Sequence, residues 1–358
     1  MYERVGVRAA VGPRSRFLPG GQTMMRPIAL LLSLAVGLAG CGQTPEEKAV
    51  DAIRELGGKA EGPFKLPPWV HDVDLRGTSI TDAGLMILKD LKALKSLNLE
   101  GTNITDAGLK ELKECKGLYS LDLGGTRITD AGLKELKELK GLKRLRLTGP
   151  RITDAGLKDV KEIKGLEWLH LRDTQITDAG LKELKEFMNL CTLGLTGTRI
   201  TDAGLKELKE LKRLEDLWLD NTQITDAGLK ELKEFKALGS LNLGGTQITD
   251  AGLKELKEFK ALRFLDLRGT QITDAGLKEL KELNHLTVLL LDSTQITDAG
   301  LKELKALKSL RDLYLEPYNP TPVEPGQVQP IASTSTGITY AGLAELGQAL
   351  PKIRIHGP

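Results

Sequence analysis

The chain repeats itself every 24 residues. The segment Ile-Thr-Asp-Ala-Gly-Leu recurs with its threonine at positions 81, 105, 129, 153, 177, 201, 225, 249, 273 and 297. A degenerate copy, Ile338-Thr339-Tyr340-Ala341-Gly342-Leu343, follows an interruption. A unit this short cannot enclose a core alone, so a fixed period of this size implies stacked supersecondary units whose shared faces form one continuous core. Only 4% of residues are aromatic while leucine is regularly spaced, which suits such a stack better than one globular core.

One full unit reads Leu118-x-x-Leu121-x-Leu123-x-x-Thr126-x-Ile128, then Thr129-Asp130-Ala131-Gly132-Leu133-x-x-Leu136-x-x-Leu139. Leu121 and Leu123 alternate, so both face one side of a short strand. Leu133, Leu136 and Leu139 recur every third residue as a helical stripe that meets the next strand at Leu142. Thr129 or Asp130 can cap the helix by accepting from its first free N–H groups, and the acid favours the positive helix end. The small Ala131-Gly132 pair allows close backbone packing at the turn. Each unit is therefore strand, turn, helix. Helices are wider than strands, so stacking predicts an α/β horseshoe with a parallel concave β-sheet and helices on the convex side. The threonine column at 78, 102, 126, 174 and onward is expected to hydrogen-bond the backbone of the turns. Pro150 interrupts that column, and a local irregularity is expected there.

The first half of the unit resembles the leucine-rich-repeat signature, LxxLxLxxNxL, with threonine at the asparagine position. The resemblance spans roughly Val70 to Leu315 and a C-terminal fragment. The ITDxGL opening of the helix is similar to the cysteine-containing, F-box-associated type, and similar arrays occur in bacterial lipoproteins. The resemblance implies a solenoid that presents a surface to a partner. The F-box adaptor role is rejected, because a helical segment of roughly 40 residues has no room between Cys41 and the first repeat.

Met24-Met25-Arg26 precede an uncharged apolar run from Ile28 to Gly40 that ends Leu38-Ala39-Gly40-Cys41. The run is shorter than the roughly 20 residues a bilayer span requires and fits the apolar region of a signal peptide. Its end resembles the lipobox of bacterial lipoproteins. That resemblance implies cleavage before Cys41, lipidation of Cys41 and a membrane anchor in the cell envelope. In that family an aspartate after the cysteine favours the inner membrane. The position here is Gly42, which points to the outer membrane and leaves the cell surface open.

The expected organisation follows. Residues 1–23 are a start placed too far upstream or a disordered extension, and 24–40 the signal peptide. Residues 41–62 hold the tether and an N-terminal cap helix. That helix carries a capping box at Thr44-Pro45-Glu46-Glu47, an apolar stripe of Ala49, Ala52, Ile53 and Leu56, and a stop at Gly57-Gly58. The repeats occupy 63–315, a Pro/Ser/Thr-rich insertion loop 316–337, and a degenerate final repeat and cap 338–358. In that last segment Ile353 and Ile355 form a closing strand.

Charge excludes one class of partner. The chain has 51 basic and 49 acidic side chains, of which five and one lie in residues 1–40, leaving 46 against 48. No basic field exists to attract nucleic acid. Cys115 and Cys191 lie about three repeats apart, roughly 15 Å at the strand spacing, too far for a disulfide. The four histidines (71, 170, 285 and 356) are scattered at positions expected to be exposed. No HExxH, Cys-x-x-Cys, phosphate loop or nucleophile elbow appears. No metal, cofactor or catalytic residue is implied. Capping explains the aspartate column more simply than calcium does.

The convex face repeats Lys-Glu-Leu-Lys-Glu almost verbatim and reads as a solvated surface. The outward strand positions vary. They carry Arg144, Arg146, Trp168, His170, Arg172, Asp216, Trp218, Asp220, Phe264, Arg268 and Tyr314, including two of the three tryptophans. Trp, Tyr and Arg are enriched where proteins meet partners. The expected site is a concave patch of Arg144, Arg146, Trp168, His170, Arg172 and Trp218 flanked by acid, taking an unidentified protein or peptide. The competing reading of the sequence is a structural envelope protein that self-associates.

Overall fold

The computed structural model describes residues 43–62, 70–315 and 337–357. The lipidation site Cys41, the signal peptide and nearly all of the insertion lie outside the described residues. The unit Gln43–Pro358 contains one sheet of 13 strands in chain order. They are β1 (Lys59–Glu61), β2 (Asp72–Asp74), β3 (Ser96–Asn98), β4 (Ser120–Asp122), β5 (Arg144–Arg146), β6 (Trp168–His170), β7 (Thr192–Gly194), β8 (Asp216–Trp218), β9 (Ser240–Asn242), β10 (Phe264–Asp266), β11 (Val288–Leu290), β12 (Asp312–Tyr314) and β13 (Arg354–His356). From β2 to β13 every neighbouring pair is parallel, and within the array each residue pairs with the one 24 positions on. The paired leucines face inward as expected, Leu193 in β7 with Leu195 just after it, and Leu217 in β8 with Leu219 just after it, being fully buried.

The sequence reading missed β1, which pairs antiparallel with β2. It turns the N-terminal cap into a strand as well as a helix. The helix α1 (Pro45–Glu55) has the expected capping box, with Glu47 N donating to Thr44 Oγ1 at 3.2 Å and Thr44 N to Glu47 Oε2 at 2.7 Å. Its buried face is Ala49, Val50 and Ile53, so Val50 takes the place expected of Ala52. Glu46 is also buried and accepts from Val70 N at 3.1 Å, tying α1 to the chain entering the first repeat. The helix ends at Gly57, in the left-handed region at φ +80°.

The convex segment is not a uniform α-helix. In the unit quoted above, an α-turn over Asp130–Leu133 tightens into a 3-10 stretch over Lys134–Glu138. A 3-10 helix has three residues per turn, so Leu133, Leu136 and Leu139, spaced by three, fall on one inward line. Facing repeats exchange ion pairs between their lysines and glutamates, such as Lys161–Glu183 at 2.8 Å and Lys236–Glu258 at 3.4 Å. These pairs sit at the surface, where solvent screens them and they add little to stability.

The threonine column does bond the turns. From Thr78 to Thr294 each hydroxyl donates to the leucine carbonyl three residues back at 2.5–2.8 Å. Thr222→Val should cost about 1–2 kcal/mol, because it leaves the buried Leu219 carbonyl without its donor. An unchanged urea midpoint would show the bond to be dispensable. At Pro150 the expected irregularity appears: Gly149 sits at φ +110°, against +63° to +69° in the glycines of the regular turns. The following helix runs unbroken over Asp154–Val160. Asp173, Asn221 and Ser293 occupy the same left-handed position at φ +55° to +58°, where short polar side chains are tolerated.

The aspartate column serves another purpose than the sequence suggested. From Thr105 on the threonine caps each helix; Thr201 Oγ1, for example, accepts from Ala203 N at 3.3 Å, whereas Thr81 makes no such bond. The aspartate reaches across to the next repeat. Asp178 accepts from Thr201 N at 2.8 Å and from Thr201 Oγ1 at 2.7 Å. The same double bond recurs from Asp82 to Asp298. Asp298 makes it to Thr339, 41 residues on, so the ladder continues across the insertion. The hydroxyl and amide of Thr339 hold the Asp298 carboxyl below its usual range. From Gly108 on, the glycine of each motif makes room for this carboxylate. A Cβ on Gly204 would lie within 3.0 Å of Asp178 Oδ1.

The final repeat closes the stack with the helix Tyr340–Ala349 and the strand β13, paired to β12 around Ile355. Among the described residues no helix is long and apolar enough to cross a membrane.

Candidate binding face

The outward residues of adjacent strands lie side by side because the register is strict. Arg146 pairs with His170, His170 with Gly194 and Gly194 with Trp218. One row along the strands, Arg144 pairs with Trp168, Trp168 with Thr192 and Thr192 with Asp216. With strands roughly 4.8 Å apart, β5 to β8 form a patch about 15 Å wide. It brings together Arg144, Arg146, Trp168, His170, Arg172, Asp216, Trp218 and Asp220. Phe264 and Arg268 are about 10 Å further along, and Tyr314 about 19 Å. Those three do not join the patch.

The rings form a ladder. Trp168 and His170, two apart on β6, stack with centroids at 3.7 Å and planes at 24°. His170 then meets Trp218 edge-on at 4.2 Å and 64°, although a whole strand separates them. The bare backbone of Gly194 makes this possible. A Cβ there would fall 2.6 Å from His170 Cδ2 and 2.9 Å from its Nε2.

The expectation that His170 is exposed is therefore corrected. Its residue surface is only 7% accessible, whereas Trp168 and Trp218 stay half-buried. Burial, with smaller contributions from the nearby Arg146 and Arg172 cations, lowers its pKa to about 3, so the ring is neutral at physiological pH. Its Nε2 is buried without a hydrogen-bond partner. A native protein rarely tolerates such an orphan, which makes it a mark of the site.

The cations around the ladder differ in freedom. Arg146 is held by Asp122 at 3.1 Å and Glu100 at 3.4 Å. Arg172 is exposed and paired with Asp173 at 3.2 Å. Arg144 is exposed, with its guanidinium 5.9 Å from the Tyr119 ring centre. Beside it lies a depression of about 200 Å³ lined by Ser120, Leu121, Asp122, Arg144, Arg146 and Trp168. Further along, Arg268 folds back on the fully buried Asp266 at 2.6 Å. Tyr314 stacks on His356 at 4.2 Å. Both are occupied with the fold itself.

The sequence places Thr192, Gly194 and Thr196 among the outward strand positions, but they and Tyr119 stood outside the expected site. Thr192 and Thr196 donate to Asp216 at 2.9 Å and Asp220 at 2.7 Å. Burial raises the pKa of both carboxyls, and these hydroxyls only partly oppose it. The available signal was a run of small residues between two aromatic strands. Away from this face, Cys115 and Cys191 are free thiols. Burial pushes Cys115 up to about 11 and makes it a weak nucleophile. Among the described residues no group of three His, Cys, Asp or Glu side chains is placed to hold a metal ion.

A family model described as leucine-rich repeat matches residues 92–113, 118–137, 166–185, 238–257, 261–281 and 282–305. Among solved structures, the chain is similar to an internalin (inlF) from Listeria monocytogenes, at 22% identity and TM-score 0.50, covering 80% of this chain and 86% of that one. It is also similar to the functional domain of InlJ from Listeria monocytogenes, at 20% identity and TM-score 0.50, covering 69% of this chain and 48% of that one. At these identities the likeness concerns the fold, which is the leucine-rich-repeat solenoid with its parallel sheet and outer helices. A search of the curated proteins finds no match.

Proposed function

We propose that this leucine-rich-repeat protein is a non-catalytic scaffold that binds a protein or peptide on its concave face, held in the cell envelope by a lipid on Cys41. The observation that carries the binding reading is the aromatic ladder over β6–β8. Two half-exposed indoles and an orphaned imidazole nitrogen stand on an open sheet face bordered by Arg144 and Arg172. Folding gains little from exposing large rings, whereas partner surfaces use Trp and Arg as anchors. The anchor rests on the lipobox-like Leu38-Ala39-Gly40-Cys41.

The test is affinity capture from envelope extracts with the full chain in detergent, with bound proteins identified by mass spectrometry. The Trp168→Ala/Trp218→Ala double variant, with its fold verified by circular dichroism, should lose at least tenfold in affinity for the captured partner. A convex Lys236→Ala variant should retain it. Unchanged capture by the double variant would remove the site. Ligand-free, concentration-dependent assembly would favour a structural role instead. For the anchor, Cys41→Ser should move the protein from the membrane to the soluble fraction; unchanged membrane retention would refute lipidation there.

A further inference from the structure

Resting on that reading of the concave face, we propose that the depression beside Trp168 holds the carboxylate of an acidic side chain in the bound peptide, gripped by Arg144. The depression of about 200 Å³ lies over β4–β6. Ser120, Arg144 and Trp168 line it side by side, in register along one row.

Charge is the first argument. The other arginines of this face each have a carboxylate. Arg76 has Asp74 at 2.8 Å, Arg146 has Asp122 at 3.1 Å and Arg172 has Asp173 at 3.2 Å. Arg268 has Asp266 at 2.6 Å, and Arg354 has Asp312 at 2.7 Å. Among the described residues Arg144 has no carboxylate in ion-pair range, and its guanidinium meets the Tyr119 ring at 5.9 Å. Its row runs through Ser120 and Ser96 on one side and Trp168 and Thr192 on the other. The first carboxylates in that row are Asp72 on β2 and Asp216 on β8. Each is three strands away, roughly 14 Å at the backbone.

The acids closest to the depression are committed to other groups. Asp122 also lines it, but one oxygen accepts from Gly124 N at 2.9 Å and the other from Arg146 at 3.1 Å. Glu100 sits against Arg146 at 3.4 Å. It is two strands and four positions from Arg144, roughly 16 Å at the backbone. Glu167, beside Trp168, is held by Lys143 at 3.1 Å. Arg144 therefore lines the opening with its fork of donors unspent.

The second argument is the chemistry left over around it. The Ser120 hydroxyl, half-buried and next to Arg144 in register, has no hydrogen-bond partner among the described residues. The depression thus offers a guanidinium and a hydroxyl, while its own carboxylate is taken. A ligand that completes it brings acceptors and negative charge. A carboxylate meets a guanidinium with two parallel bonds and keeps a lone pair for the hydroxyl. The half-buried indole of Trp168 walls the place. It gives the ligand's methylenes an apolar surface and shields the pair from water, which strengthens the attraction. One unpaired cation matches one negative charge. A phosphate dianion would need Arg146 as well, and Arg146 is tied to Asp122.

The experiment titrates the full chain with capped Gly-Gly-Glu-Gly-Gly and its glutamine and lysine analogues, read by tryptophan fluorescence. Glutamine keeps the shape and removes the charge. The glutamate peptide should bind saturably and at least tenfold more tightly than either analogue. Arg144→Gln should abolish that preference. Arg76→Gln, on the same face but already paired with Asp74, should keep it. Arg144 has no ion pair to lose, so Arg144→Gln should melt at the native temperature, which shows that the variant folds. No saturable glutamate binding, equal affinity for glutamine or lysine, an unaffected Arg144→Gln variant, or a fluorescence response that survives Trp168→Phe would each overturn the assignment. Capture of the envelope partner separates the two levels. If Trp168→Ala/Trp218→Ala loses capture while Arg144→Gln keeps it, the recognition face stands and the carboxylate site falls. If both keep capture, both readings fall.

Discussion

Gly204→Ala should destabilise the protein by about 2–4 kcal/mol, against the usual direction of a glycine-to-alanine change in a helix. Gly204 lies within the helical turn Asp202–Leu205, where alanine normally gains about 1 kcal/mol in propensity. Here the new methyl would lie within 3.0 Å of Asp178 Oδ1 and 3.0 Å from Leu181 Cδ1. The leucine end can swing away. The carboxylate cannot leave without giving up Thr201 N and Thr201 Oγ1. Hydrogen bonds to a charged acceptor contribute roughly 1.5–3 kcal/mol each, and partial exposure lets water replace part of that. The loss therefore exceeds the propensity gain. Asp178→Ala alone should cost a similar amount. In the double variant the methyl meets no carboxylate, so adding Gly204→Ala should be neutral or slightly stabilising. A coupling of about 2 kcal/mol or more in urea unfolding is expected. Strict additivity, or a stable single Gly204→Ala variant, would show that the inter-repeat bond does not hold the stack.

The second large effect is a pH dependence centred on His170. Its folded pKa of about 3 lies well below the 6.5 of an ordinary histidine. Between those values the unfolded chain binds a proton that the folded chain refuses, so stability rises with pH across this window and is lost as pH falls from 6.5 towards 3. At about 1.4 kcal/mol per pKa unit the ceiling is roughly 4–5 kcal/mol. Local opening of the ring ladder would let the histidine titrate early, so about 2–4 kcal/mol is the expected observable. His170→Phe keeps a ring on Gly194, removes the orphaned nitrogen and should flatten this part of the curve. The difference between native and variant isolates it from Asp216 and Asp220. Their raised values act in the opposite sense, with stability lost as pH rises above the ordinary aspartate range. Parallel curves for the two proteins would mean that His170 is solvated in solution. The orphaned nitrogen would then lose its standing as a mark of the site.

The solenoid was legible because its determinants are local and repeated ten times. Leu193 and Leu195 alternate, and a period of two leaves them one buried side whichever neighbours they meet. The capping box at Thr44 and the break at Pro150 were legible for the same reason, being short-range stereochemistry. The aspartate of each motif was misread as a cap. Its partner lies 23 residues on, and a linear motif does not show which neighbour a carboxylate will choose. The glycine beside it looked like a device for close backbone packing. Only the stacked neighbour reveals that a carboxylate fills the space.

The candidate face divides in the same way. Which residues point outward follows from register, so all eleven expected positions lie on the strand face or at its edge. Their fates depend on which side chains they meet in the folded sheet. Arg268 is drawn onto Asp266, Tyr314 onto His356, and His170 under two indoles by the absence of a side chain at Gly194. The sequence by itself determined the repeat, the inward leucines and the set of outward side chains, because each depends on spacing along a single chain. The tertiary structure alone decided which of those side chains are spent on one another and which remain for a partner. For the ring ladder that outcome turns on a contact between residues 48 positions apart, where one missing Cβ changes what a ring can reach.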